Sequence, residues 1–102
     1  MRVENGEEMK RSYVYMLTNR YHNVLYVGVT TDLKQRIAQH RSRCFGGFTA
    51  RYNLDKLVLV EEYEDVRHAI HREKQIKSWS RRRKDELIAQ SNPEWEELMP
   101  VD

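Results

Sequence analysis

A carboxylate set in the middle of an apolar helix face is the feature of this sequence that most needs a chemical explanation. Over residues 66–79, a turn of about 100° per residue places Val66, Ala69, Ile70 and Ile76 on one face, with Glu73 at its centre. Burying a carboxylate is costly unless it is paired, hydrogen-bonded or bound to a metal. Glu73 is therefore either half of a structural ion pair, for instance with an arginine of an earlier helix, or a ligand for a hard divalent cation at the floor of a cleft. On that earlier helix Leu33, Ile37 and His40 share one face, and Arg36 lies one turn before His40. A histidine on an apolar face is most often a hydrogen-bonded core residue. A guanidinium beside it, with a donor fork that matches phosphate geometry, points to anion chemistry. Alternation puts Tyr13 and Tyr15 on one face of a strand, and Tyr26 lies on the next. Tyrosines in strands usually pack, but a buried hydroxyl needs a partner. Gly28, on the same strand face as Tyr26, leaves room for a ligand or backbone to approach.

These side chains need elements to carry them. The runs 13–17 and 24–29 are rich in strand formers, and the polar stretch Asn19–Asn23 joins them at hairpin length. Asp32 caps a helix over 33–41, and Gly46-Gly47 ends it and opens a loop to about Asp55. Lys56–Tyr63 reads as a third strand. Asp65 caps a helix from Val66 to about Trp79, and a further helix covers 81–90. Asn92-Pro93 breaks that helix, and a short final helix is expected over 94–99. Trp79 and Trp95 are expected to cover the core.

The charge is unevenly spread. The net value of +2 hides eight cations against the single acid Glu73 between Arg67 and Lys84. The stretch from Leu33 to Arg51 contains Lys34, Arg36, Arg41, Arg43 and Arg51 and no acid, whereas the last eighteen residues carry six acids and no Lys or Arg. If the two basic segments converge they form a polyanion-binding surface, and nucleic acid is the common partner. The length of 102 residues with 39% hydrophobic residues suits one core and not two. Apolar runs such as Leu57–Val60 are far shorter than the ~20 residues of a membrane span, and the first residues lack the apolar core of a secretory signal. One cysteine, Cys44, cannot form an internal disulfide, which fits a reducing compartment. It reads as an inert small residue, although neighbouring cations lower a thiol's pKa. A soluble, cytoplasmic protein is expected, with no membrane partner.

Tyr15, then Tyr26-Val27-Gly28 eleven residues on, then Arg36, His40 and the later Glu73 together resemble the GIY-YIG nuclease superfamily. The likeness is to its small stand-alone bacterial members and to the N-terminal nuclease domain of the excinuclease C subunit. It covers 12–99, leaving 1–11 as a flexible arm and 100–102 as a tail. The first motif departs from the family by reading Tyr13-Val14-Tyr15, with tyrosine for the leading glycine, and Val29 stands where excinuclease relatives tend to carry lysine. The resemblance implies an α/β fold, a small, mainly antiparallel three-stranded sheet flanked by helices. It implies that Tyr15, Tyr26, Arg36, His40 and Glu73 are catalytic, with Glu73 binding a single Mg²⁺ or Mn²⁺. Arg36 would polarise the scissile phosphate, Tyr26 would be the candidate base and His40 its partner. Asn92 would match a C-terminal polar position of the family.

The activity so implied is metal-dependent endonucleolytic hydrolysis of DNA, in repair or recombination, with RNA as an open alternative and a protein partner as one route to targeting. Gly28, Lys74, Lys77, Arg81 and Arg82 are expected to contact the substrate. The base is the hard part, because a free tyrosine is only about 0.1% ionised at pH 7, an offset of about 4 kcal/mol. A neighbouring cation lowers that offset, and His40 titrates nearer neutrality. Two other readings compete. One is a nucleic-acid-binding module of the same fold that does not cut, or a protein-interaction domain. The other is a zinc site from His68, His71 and His40, which lacks further well-placed ligands.

Overall fold

The first apolar run becomes the middle of a sheet, which explains why it is apolar on both faces. A computed structural model describes residues 11–42 and 47–100. Strands β1 (Ser12–Thr18), β2 (Leu25–Thr30) and β3 (Lys56–Tyr63) form one antiparallel sheet in the order β2-β1-β3. Helices α1 (Leu33–Arg41), α2 (Gly47–Arg51), α3 (Val66–Lys77) and α4 (Arg81–Ser91) flank it, giving the expected α/β architecture. Alternation along β1 divides the core in two. Tyr15 and Leu17 face α1, packing with Leu33, Ile37, Leu54 and Leu57. Val14 and Met16 face the other way and pack with Val27, with Ala69 and Ile76 of α3, and with Ile88 of α4. Trp79 and Trp95 cover that second cluster.

The two predicted caps start their helices, and a third is found at Ser80. Asp32 accepts from the Gln35 N–H at 3.1 Å and Asp65 from the Arg67 N–H at 2.8 Å. Ser80 does the same for α4, accepting from the Arg83 N–H at 3.2 Å. Several expectations give way to tertiary packing. The loop expected up to Asp55 contains the short helix α2, and the helix beginning at Val66 stops at Lys77 with Ser78 as its C-cap. On α3 the buried residues are Ala69, Glu73 and Ile76, while Val66 and Ile70 are exposed. The helix is rolled so that Ala69 is central to its inner face, with Ile76 on one side and Glu73 on the other. Cys44, Arg43 and Gly46, like the arm before Arg11, lie outside the described residues. No helix among the described residues is long and apolar enough to cross a membrane.

The stretch 94–99 is not helical. Its backbone is used at the edge of β3 instead. Met16 pairs with Leu59 and Leu17 with Leu57, so Val58 is the extra residue of a β-bulge. The Val58 carbonyl accepts from Asn92 Nδ2 at 3.1 Å, and the Leu98 N–H donates to the Leu57 carbonyl at 2.8 Å. Asn92 also binds both backbone groups of Glu96, donating to its carbonyl at 2.8 Å and accepting from its N–H at 3.0 Å. An ion pair between Arg41 and Glu97 ties the segment to α1. Trp95 takes a left-handed φ of 54°, which a continuous helix does not permit. Residues 92–98 thus form a strap over the β3 edge, and β2 is the edge strand on the opposite side of the sheet.

The turn between β1 and β2 is held from α4. Arg81 donates to the carbonyls of His22 at 2.6 Å and Asn23 at 3.0 Å, and its Nε binds Asp85 at 2.7 Å. His22, at a φ of 58°, stacks on Trp95 with ring centroids 5.0 Å apart and meets Lys56 Nζ at 2.8 Å. Arg81, expected to contact substrate, thus also holds the hairpin turn through its guanidinium.

Candidate active site

Four of the candidate residues come together where β1, β2 and α1 meet. Register sets the first two, since Tyr15 pairs with Gly28 and Leu17 with Tyr26, placing both phenols on the α1 face. The rings of Tyr15 and Tyr26 lie 6.1 Å apart between centroids. His40 is 5.3 Å from Tyr26 and 5.8 Å from Tyr15 by the same measure. Tyr15 Oη and His40 Nε2 share a hydrogen bond of 3.0 Å. Arg36, one turn before His40 on α1, acts on both the Tyr15 hydroxyl and the imidazole.

Gly28 has a different part from the one expected of it. A Cβ at this position would fall 2.6 Å from both Cζ and Oη of Tyr15. The space left by the missing side chain is filled by the Tyr15 ring, so the glycine shapes the phenol's seat and is not open to a ligand. The hydroxyl of Tyr15 is then sealed in, fully buried. Burial raises its pKa well above the ordinary phenol value, and Tyr26 adds to the rise, while the Arg36 charge opposes it. Tyr15 therefore keeps its proton. His40 is shifted the other way. Burial lowers its pKa, and the Arg36 cation lowers it further, so the imidazole is held neutral.

That depression has a consequence for stability. A histidine with a folded pKa below its unfolded value of 6.5 takes up its proton first in the unfolded chain. His22 is shifted in the same direction by burial, Lys56 and Arg81. Folding stability should accordingly be level above about pH 7 and fall as pH drops through 6.5, flattening again below the folded values. Urea denaturation at pH 8, 6.5 and 5 measures this, and His40→Gln should reduce the slope. A His40→Gln protein with the wild-type slope would assign the whole effect to His22.

Glu73 is positioned from the opposite layer. It is buried on α3, whose Ala69 and Ile76 pack under the far face of β1 and β2. Its carboxylate is engaged by Lys77 Nζ at 2.6 Å, one turn along the same helix. Lys77 is thus a partner of the candidate metal ligand. Arg82 pairs with Glu86 at 3.3 Å and is largely exposed, and Lys74 is exposed on α3. Among the described residues no three His, Cys, Asp or Glu side chains converge as a metal cluster, which removes the zinc alternative there. A single buried carboxylate suits Mg²⁺ or Mn²⁺, which take most of their shell from water and substrate oxygens. Asn92, whose amide is spent on the bulge and on Glu96, is a structural residue of the strap. The Tyr15–His40 contact is the element that sequence reasoning missed. Its partners are 25 positions apart and no local spacing announces the bond.

Residues 11–86 match the family described as the GIY-YIG catalytic domain. The chain is similar to the UPF0213 protein of Syntrophus aciditrophicus, 37% identical over 87 residues covering 84% of this chain and 98% of that protein. It is likewise similar to the UPF0213 protein of Natronomonas pharaonis, 35% identical over 77 residues covering 76% of this chain and 89% of that one. The solution NMR structure of a UPF0213 protein from Bacillus halodurans has the same fold, with a TM-score of 0.55 and 29% identity over 84% of this chain and 90% of that one.

Proposed function

Because the chain belongs to the GIY-YIG catalytic domain family, we propose that it is a metal-dependent endonuclease that hydrolyses phosphodiester bonds in DNA. The observation that carries this reading is the packing of Tyr15, Tyr26 and His40 within 6.1 Å of one another under the charge of Arg36. Hydrolysis needs an oriented water, a group to take its proton and positive charge on the phosphate. Arg36 supplies the fixed charge and orients a phosphate oxygen. Tyr26 is the less buried of the two phenols and faces the incoming water, with His40 as the neutral acceptor behind it. Tyr15 holds the imidazole through its hydrogen bond and does not itself exchange protons. Glu73 would hold Mg²⁺ or Mn²⁺. Such an ion supplies Lewis-acid charge to the developing oxyanion and leaving oxygen.

The placement of Glu73 across the sheet gives the edge strand β2 a purpose. A DNA backbone laid along that edge would meet Arg36 and the partly exposed Tyr26 on one face, while the helix that carries Glu73 packs against the other. Lys74 and Arg82 extend the positive surface on the α3 and α4 side. Repair or recombination is the process such an enzyme serves, with a targeting partner supplying selectivity.

Supercoiled, branched and single-stranded DNA incubated with Mg²⁺, Mn²⁺ or chelator tests the assignment. Cleavage with metal and none with chelator is expected. Glu73→Gln should cut at least about tenfold more slowly and need more metal. Product formation unaffected by chelator and by Glu73→Gln, or none from any substrate, would reject the enzyme. One observation favours a module that binds without cutting, namely the Lys77 ammonium seated on Glu73. That reading predicts steeply salt-dependent DNA binding with no product at any metal concentration.

A further inference from the structure

Helix α2 and the residue that follows it present two aromatic rings to solvent, neither of them a member of the two core clusters. Phe48 and Tyr52 are 52% and 39% exposed, and their ring centroids are 4.9 Å apart at 53°. They stand at i and i+4, so they share one side of the helix end. The guanidinium of Arg51, itself exposed, lies 5.7 Å from the Tyr52 centroid. The helix is anchored beneath by Thr49 and by Leu54, which is buried in the cluster containing Tyr15 and Leu17. The rings are therefore held on the same side of the sheet as the phenol cluster. Surface pairing of large apolar rings costs solubility and is a mark of a contact surface.

We propose that Phe48 and Tyr52, with Arg51, form a stacking platform for unpaired bases of the DNA substrate. This deepens the nuclease reading, on which it rests, by naming a substrate with a single-stranded stretch. Charge argues for this occupant. The rings sit at the end of the acid-free run from Leu33 to Arg51, which carries Arg36 at the candidate phosphate site. A nucleic acid strand offers in one ligand both a phosphate for the guanidinium and a π-face for each ring. Bases stacked inside a duplex show no free face to such a platform, whereas unpaired ones do. Stacking is tolerant of base identity, so the platform selects for strand state and not for sequence.

The test is binding in chelator, where no cleavage occurs, of a single-stranded oligonucleotide containing 2-aminopurine and of the same strand annealed to its complement. Anisotropy and 2-aminopurine quenching are read for the wild type, for Phe48→Ala/Tyr52→Ala and for Phe48→Trp/Tyr52→Trp. The wild type should bind the single strand at least about tenfold more tightly than the duplex. The alanine pair should lose at least about tenfold for the single strand and quench little, with duplex affinity within about twofold of wild type. The tryptophan pair should restore both readouts. Equal wild-type affinity for the two forms, or single-strand binding by the alanine pair at the wild-type level, overturns the platform. A loss shared equally by single strand and duplex overturns it as well. Conversion of a dimer to a monomer by the alanine pair, with DNA binding unchanged, would assign the rings to a contact between two copies and also reject the proposal. Because the assay requires no turnover, a protein that binds as described but never cuts would refute the nuclease and leave the platform standing. A protein that cuts in Mg²⁺ while its alanine pair binds normally would do the reverse.

Discussion

Arg36→Ala is expected to lower the rate of DNA cleavage by about 100- to 1,000-fold while the protein remains folded. Arg36 is the fixed cation acting on the buried phenol–imidazole pair, and it is the group best placed to meet charge building on a phosphate. Its removal takes away a transition-state contact without opening the core, because the side chain is only partly buried. A second readout separates this role from simple loss of structure. The same cation helps hold the His40 pKa down, so the variant's imidazole should titrate at higher pH, yet still below 6.5 because burial is the larger cause. NMR titration of the four histidines measures that shift. Cleavage at wild-type rates by a folded Arg36→Ala protein would remove the electrostatic centre from the proposed mechanism. Arg36→Lys is expected to recover only part of the activity, since an ammonium lacks the guanidinium's planar fork.

The second large effect concerns a residue with no side chain. Gly28→Ala places a methyl group 2.6 Å from Cζ and Oη of Tyr15, inside any real contact distance. The ring cannot simply slide, being bordered by Tyr26 and hydrogen-bonded to His40. Overpacking of this kind costs about 1–3 kcal/mol, equivalent to a melting temperature lower by roughly 5–20 °C in a chain of this size. Activity should fall with it, because the displaced phenol no longer holds the imidazole. Combining Gly28→Ala with Tyr15→Ala should destabilise by clearly less than the sum of the two changes, since the second relieves the clash produced by the first. Additive losses would show that the strain lies elsewhere, and a Gly28→Ala protein as stable and active as the wild type would show that the Tyr15 seat is not tight.

Much of this arrangement is written in short-range patterns. Alternation puts Tyr13 and Tyr15 on one face of their strand and Tyr26 and Gly28 on one face of the next, i,i+4 spacing puts Arg36 beside His40, and Asp32 and Asp65 declare the starts of their helices. The wheel of α3 marks Glu73 as anomalous before any partner is known. What is not legible depends on contacts between distant segments. Arg81 looks like one more cation in a basic run until the carbonyls of His22 and Asn23 are seen to occupy it. Lys77 looks like a phosphate contact until its ammonium is found on Glu73. Val66 and Ile70 read as core because an isolated wheel cannot know how the helix will roll on the sheet. Residues 94–99 have helical composition, but the Leu57 carbonyl beside the bulge takes the Leu98 N–H and the Asn92 side chain takes both backbone groups of Glu96, partners that a local helix would forgo.

The strap over β3 bears on how this protein is handled at the bench. Its anchor, Asn92, follows directly on the last helix, and without the segment from 92 to 98 the bulged strand would lose the donors that meet the Val58 and Leu57 carbonyls. A fragment trimmed just after α4 would then present raw β-strand backbone to its neighbours, an invitation to stack chain upon chain. Expression boundaries and fusion tags therefore belong beyond Pro100, where they leave that outer rim shielded.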